Sequence, residues 1–363
     1  MKLVTSKESI LEGLQKVQSG ISTRNTIPVL NNVHLSAKDG LVQLTATDLE
    51  ISVQTTCEAK IVREGGTTLP ARRLFSIIRE LPASDIEINA DDKDVATIKA
   101  GASVFKIIGI SEEEFPPVPE FEGQRTFTLE QATFKKMLAA THYAASTEES
   151  RYVLNGVLLS FRDDKLTVVA TDGRRMALYE QELEFPEPSA GDVIIPNKAV
   201  NELLKTMGAE GTIKIMVGDN QAAFAFGNML IITKLVDGTF PNFRQVIPAQ
   251  CEERVSLERE IMLDAVRRVS LVSDKTSSVT LAFDKNQVAI STMSAEVGEA
   301  SETVAIKYNG KPMAIAFNPD FMIDCLRNLT TDEVALEFSD ELSPGVMKCD
   351  APFLYVLMPM RIR

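Results

Sequence analysis

The hydrophobic pattern of residues 151–179, RYVLNGVLLSFRDDKLTVVATDGRRMALY, combines strand-like alternation, a tight acidic turn and a basic pair, and it recurs along the chain. Val157, Leu159, Leu166, Val168 and Asp172 align with Val33, Leu35, Val42, Leu44 and Asp48 at a constant offset of 124 positions. Val279, Leu281, Phe283, Val288 and Ile290 keep the apolar places at an offset of 122, with Ser294 where the first two copies carry aspartate. So long a period marks one domain-sized unit used three times. A solenoid of short repeats would show a period of about 20–50 residues.

The same periodicities predict the elements of each third. Residues 6–17, 129–140 and 257–269 place Leu11, Leu14 and Val17, then Phe134, Met137 and Ala140, then Leu263, Val266 and Val269 at helical spacing, so each third is expected to open with a helix. A second helix is expected midway, starting just after Pro70, Pro196 and Pro319, where a ring-fixed φ suits the first helical turn. Runs 41–47, 85–89, 166–170 and 287–291 alternate with period two. With the polar turns Lys38-Asp39-Gly40 and Arg162-Asp163-Asp164, they predict antiparallel, half-buried strands. Each third then reads helix, strands, helix, strands, and the class is α+β. The predicted domains are 1–122, 123–250 and 251–363. Proline-bearing connectors fall at 112–117 and 240–243, with Met358-Pro359 at the matching end of the last third. Phe115-Pro116 can be read as the stop of an edge strand; for Pro241 and Pro359 a ligand-binding reading stays open.

Length agrees with the repeat: 363 residues exceed one hydrophobic core, and a third of them, about 120, is an ordinary domain. No membrane-length apolar run and no signal-peptide pattern are visible, so a cytoplasmic protein is expected. Cys57, Cys251, Cys325 and Cys349 are scattered without CxxC spacing, and only His34 and His142 could join them at a metal; buried thiols in a reducing compartment are the expectation. No phosphate loop, dinucleotide fingerprint or HExxH motif occurs, so neither cofactor nor catalysis is expected. Asp48 and Asp172 recur after Ala-Thr at a strand end, a place for Asx-turns. The net charge of −13 argues alone against nucleic acid. Yet the six helical candidates together carry a small positive excess, through Arg72, Arg73, Lys135, Lys136, Lys198, Lys205, Arg267 and Arg268. These cations are either one phosphate-facing surface or a solvated helix face.

Several segments match a known family. RYVLNG (151–156), VATDGRRMAL (169–178), KLVDGTFPNFR (234–244) and YVLMPMR (355–361) closely resemble the bacterial β sliding clamps, the processivity subunits of DNA polymerase III. TRNTIPVLNNV (23–33), LTATDLEI (44–51) and TTLPARRLFSIIRELP (67–82) are similar to the same family. The match runs through the whole chain in order, and the threefold repeat is what that family would show.

The resemblance implies the DNA clamp fold in a ring-shaped, head-to-tail homodimer, six similar domains around double-stranded DNA. It implies DNA contacts at Arg24, Arg73, Arg151, Tyr152 and Lys198, and a dimer interface of Phe105 and Ile107 against Leu271 and Val272. It further implies a pocket for short hydrophobic peptides of the polymerase III α subunit, the clamp loader, other polymerases and repair proteins. The matching pocket positions are Leu154, Thr171, Gly173, Arg174, Arg175, Met176, Pro241, Arg244, Val246, Met358, Pro359, Met360 and Arg361. Val153 stands where some members carry an aromatic, and Arg174 and Met176 stand where histidine and leucine are commoner. Adaptable methionines, rigid prolines and rim arginines suit varied peptides. A peptide-binding scaffold without duplex binding is the runner-up, and an enzyme on a triplicated fold the distant third.

Overall fold

The computed structural model describes residues 1–21, 27–82, 84–118, 121, 125–186, 189–274 and 277–362. In the first third the order is β1 (Lys2–Ser6), α1 (Lys7–Val17), β2 (Asn32–Lys38), β3 (Leu41–Thr47), β4 (Ile51–Glu58), β5 (Lys60–Arg63), β6 (Gly65–Pro70), α2 (Ala71–Glu80), β7 (Asp85–Ala90), β8 (Val95–Ala100) and β9 (Ser103–Ile108). The second runs β10 (Arg125–Glu130), α3 (Gln131–Thr141), β11 (Gly156–Arg162), β12 (Lys165–Thr171), β13 (Arg175–Glu182), β14 (Gly191–Pro196), α4 (Asn197–Thr206), β15 (Thr212–Val217), β16 (Gln221–Phe226) and β17 (Met229–Lys234). The third runs β18 (Glu253–Glu258), α5 (Arg259–Val269), β19 (Val279–Asp284), β20 (Gln287–Ser294), β21 (Gly298–Ala305), β22 (Met313–Phe317), α6 (Pro319–Asn328), β23 (Glu333–Phe338), β24 (Gly345–Lys348) and β25 (Phe353–Leu357).

Each third therefore opens with a strand, and the helix follows it without a loop. Leu129 and Leu257, expected on helices, are buried strand positions of β10 and β18, beside Phe127 and Val255. The stripe of α1 is Ile10, Gly13, Leu14 and Val17, with Leu11 only half-buried. The helices after the prolines form as expected, by two routes. Pro70 and Pro196 end the preceding strands, whereas Pro319 is the first helical residue behind Asn318. Asn318 Oδ1 accepts the Asp320 amide at 2.9 Å, satisfying a donor the helix start would leave bare. Asp39 and Gly40, and Asp163 and Asp164, take positive φ at the two-residue hairpin turns, the backbone such turns require.

Among the described residues all the strand pairs are antiparallel, in four sheets of order β5-β1-β7-β8-β9, β10-β15-β16-β17-β4-β3-β2-β6, β14-β11-β12-β13-β25-β24-β23-β18 and β21-β20-β19-β22. The eight-stranded sheets join neighbouring thirds by one rule. The last strand of a third lies on the strand that follows the β2–β3 or β11–β12 hairpin of the third before it: β17 on β4, with Ile231 opposite Val53, and β25 on β13, with Tyr355 opposite Ala177.

The chain accordingly forms two compact units, Met1–Phe134 with Asn201–Leu235, and Lys135–Val200 with Val236–Arg363. They follow the continuous sheets, so each holds one eight-stranded sheet and one smaller one. In the first, α1 packs on β3 and β4. In the second, α5 and α6 pack together and bury Met262, Val266, Met322 and Leu326, each worth about 1.5–3 kcal/mol.

Gly13 marks a close approach of α1 to the sheet, since a Cβ there would press into Cys57 Sγ and the fully buried Leu44. Gly13→Val is expected to cost about 1–3 kcal/mol through overpacking, read as a lowered urea midpoint; an unchanged midpoint would reject this packing.

Candidate functional site

The β12–β13 hairpin tip is built by its own side chains. Thr171 Oγ1 donates to the Arg175 carbonyl at 2.6 Å and accepts the Gly173 amide at 3.0 Å. Asp172 Oδ1 accepts the amides of Arg174 and Arg175 at 2.9 and 3.0 Å. The first repeat builds the same tip: Thr47 serves Ile51 and Leu49, and Asp48 Oδ1 accepts from Glu50 and Ile51. The recurrent aspartates are thus turn-makers. Leu49 pays for this geometry with a φ of 76°, where the middle repeat has Gly173 at 84°; a non-glycine residue there is strained.

What separates the repeats is the sheet face behind the tip. In the middle repeat, the register sets Leu158, Val169, Met176, Leu178 and Ile194 on one face, and with Val356 they form one apolar cluster. The first repeat places His34, Thr45, Ser52, Gln54 and Thr68 at the same register positions. The third places Thr280, Ser291, Glu299, Ser301 and Ala316 there. Only the middle copy is apolar throughout. A cavity of about 1280 Å³ sits over the hydroxyl-rich third-repeat face, with Thr280, Ser291, Glu299 and Ser301 in its lining.

Over the apolar face lie Val153, Val236, Phe240, Phe243 and Ile247, all partly buried. The segment after β25 borders it, because the Met358 amide donates to the Arg174 carbonyl at 3.0 Å and the Met360 amide to Ala316 at 2.7 Å. Met358 and Val246 stay 43% and 48% exposed, so apolar surface remains open to a ligand. Leu154, Pro359 and Met360 are half-buried, and Pro241, Arg174, Arg244 and Arg361 are exposed. The Arg244 guanidinium lies 5.5 Å over the Phe243 ring.

Arg175 departs from its expected place on the rim. Its guanidinium turns inward, giving Nε to Asp172 Oδ2 at 3.0 Å, Nη1 to Asp324 Oδ2 at 2.8 Å and Nη2 to the Tyr143 carbonyl at 2.7 Å. It also lies 4.3 Å over the Phe321 ring, and its side chain is 10% exposed. Burial works against the charge, and Tyr355 together with the Asp324 and Asp172 carboxylates holds its pKa above the ordinary arginine value. With Nε, Nη1 and Nη2 each bound internally, the guanidinium is held away from the rim. Burial likewise pushes the Cys325 thiol up.

Of the expected DNA contacts, Arg24 lies outside the described residues. Arg73 and its neighbour Arg72 are exposed on α2, Lys198 is exposed in the first turn of α4, and Tyr152 is 59% exposed. Arg151, also exposed, supports the hairpin tip, Nη1 donating to the Asp172 carbonyl at 2.7 Å, and it pairs with Glu148 at 3.2 Å. Arg268, another helix cation, is neutralised by Glu302. At the expected interface, Phe105 is 40% and Leu271 81% exposed, and Val272 is half-buried. Ile107 is buried within its own chain, which leaves its side chain to the core.

Sequence reading missed Leu158, Val169, Leu178, Ile194 and Val356. The findable signal was a comparison of one alternation phase across the three repeats.

Family models for the DNA polymerase III beta subunit match the chain in order: N-terminal domain at residues 1–119, central domain at 128–242 and C-terminal domain at 244–361. The "Beta sliding clamp" of Chlamydia muridarum is 36% identical over 363 residues, covering 100% of this chain and 99% of that protein. That of Escherichia coli (strain K12) is 32% identical over 368 residues, covering 100% of both. The crystal structure of a DnaN sliding clamp from Bartonella birtlesii bound to griselimycin superimposes with a TM-score of 0.95 at 33% identity, covering 100% of both chains.

Removing the tip's scaffold tests this local account. Asp172→Ala leaves two amides and the Arg175 charge short of a partner, so a loss of about 2–4 kcal/mol is expected. Amide exchange at Arg174 and Arg175 should accelerate; unchanged protection would contradict it.

Proposed function

This chain belongs to the DNA polymerase III beta subunit family, the β sliding clamps, and from that premise we infer how its own residues serve a clamp. The protein is a DNA sliding clamp, a non-catalytic processivity factor that binds DNA, forms homodimers and binds the polymerase through short peptide motifs. Its repeating units are residues 1–122, 123–250 and 251–363, and it works on the chromosome in the cytoplasm. The rival reading, a scaffold without duplex binding, is not favoured by relatives that are clamps over their full length.

Encirclement replaces grip. A clamp that must slide profits from weak, exchangeable phosphate contacts and gains nothing from base readout. Arg24, Arg73, Lys198 and Tyr152 supply such contacts, joined by Arg72. Arg151 serves the pocket hairpin first.

One observation carries the tethering site: among three copies of one sheet face, only the middle one is apolar. The residues covering that face leave Met358 and Val246 exposed, and exposed apolar surface calls for a partner. The partner is a peptide with apolar side chains, seated on Met176, Leu178 and Met358, between walls made by Pro241, Val246, Pro359 and Met360. Thr171, Gly173 and Leu154 shape the end of the groove. Arg174, Arg244 and Arg361 offer free donors to peptide carbonyls and carboxylates.

The dimer seam follows from the repeat. The equivalents of β9 are β17 and β25, both paired; the equivalents of β4 and β13 in the last third are β21. β9 and β21 are sheet edges within one chain, so each completes the other across two copies. Carrying the register over sets Phe105 opposite Ala300 and Lys106 opposite Glu299, an opposite-charge pair. Leu271 and Val272 cover the seam.

Two measurements test these readings. A loaded clamp should stay on closed circular DNA and run off once the circle is cut; equal retention on both forms would sink encirclement. Phe105→Cys with Ala300→Cys, in a chain bearing Cys251→Ser and Cys349→Ser, should form a covalent dimer with a short bismaleimide. Cross-linking no greater than in either single variant would reject the seam.

A further inference from the structure

Two features that set one junction apart coincide there. The apolar face belongs to the middle repeat, and so does the inward arginine behind it. At the position of Arg175 the first repeat has the buried Ile51, whose amide also binds the tip aspartate, and the third has Gly298. A charge at this place therefore occurs only where a pocket has been built.

Arg175 joins the tip to the far side of the unit. It is the first residue of β13, directly after the Thr171–Arg174 tip, and its guanidinium holds Asp172 on one side and Asp324 of α6 on the other. The stack on Phe321, also on α6, fixes the plane of the guanidinium. A second thread runs from the same helix: Tyr355 Oη donates to the Phe321 carbonyl at 3.0 Å. Tyr355 lies on β25, three residues before Met358. Two pocket walls, the tip and the segment after β25, are thus referred to one helix turn, and the walls are joined to each other by the Met358 to Arg174 bond.

We propose that Asp324 is a positioning residue for the peptide pocket, acting through Arg175 and touching no peptide itself. This rests on the pocket reading above and names the regulation of its shape. Asp324 orients the guanidinium; the guanidinium holds Asp172; Asp172 holds the amides of Arg174 and Arg175; and the Arg174 carbonyl carries Met358. Without the Asp324 carboxylate, the buried cation keeps one carboxylate where it had two, and it must follow water outward. The tip then loses its fixed orientation, and a peptide has to order it on binding, which weakens affinity.

The test uses the full-length dimer and two probes, griselimycin and the polymerase III α subunit, titrated calorimetrically. Asp324→Ala is expected to weaken both about tenfold, with the dimer and its retention on circular DNA unchanged. Asp324→Glu should recover part of the loss. Arg175→Met should weaken binding to a similar degree, and adding Asp324→Ala to it should change little further. Met322→Ala, a fully buried change on the same helix, should lower the melting temperature at least as much and leave affinity within twofold. Affinity preserved in Asp324→Ala would overturn the proposal, as would an equal loss in Met322→Ala, which would reduce the effect to general destabilisation. If the unaltered protein bound neither probe while Met360→Ala behaved identically, the pocket reading itself would fall, and this inference with it.

Discussion

Backbone groups at a sheet edge must find partners, and that requirement organises this chain. An eight-stranded sheet forms wherever the last strand of one third can lie on the free edge of the third before it, as β17 does on β4 and β25 on β13. Main-chain bonds running across the join make the two compact units continuous where the sequence is modular. The pocket is a by-product of the same join. The β12–β13 tip and the segment after β25 meet because β13 and β25 are paired, and the connector between β17 and β18 lies over the apolar face behind them.

Much of this was legible in the residues. The threefold offset, the helices after Pro70, Pro196 and Pro319, and the acidic hairpin turns all follow from local chemistry. The opening strands escaped notice because β10 and β18 run straight into α3 and α5, and Leu129 and Leu257 satisfy a period of two as well as the first step of a helical stripe. On α1, Ile10 and Leu11 are adjacent, and only packing decides which one faces the sheet. The apolar face was hidden for another reason. β11 and β12 are buried on both sides, and a strand buried at nearly every position looks like core until its counterparts in the other repeats show hydroxyls. Two neighbouring arginines pose the hardest case: nothing in Arg174-Arg175 tells which points to solvent and which toward Asp324.

Charge is distributed by partner as much as by place. Arg268 and Arg267 sit on α5 beside Glu302 and Asp264, which cancels much of what a helix count would assign to phosphate. Arg72 and Arg73 make no ion pair among the described residues, so they keep their charge for a ligand. Asp324 is the mirror case, an acid whose field is offset by Arg175. A molecule with a net charge of −13 can therefore meet a polyanion through a few unspent cations while its acidic remainder discourages other nucleic-acid contacts.

The unpaired state of β9 and β21 within one chain has a mechanical meaning. At β17–β4 and β25–β13 the peptide chain itself also crosses from one third to the next, so those joins are fastened twice. At the seam proposed between β9 and β21 of another copy, no peptide chain crosses. A ring closed through that seam would part there first under load, and would reseal because both edges keep their unpaired main-chain groups. Opening then demands work at a clasp about six residues long, and leaves every covalently bridged join undisturbed.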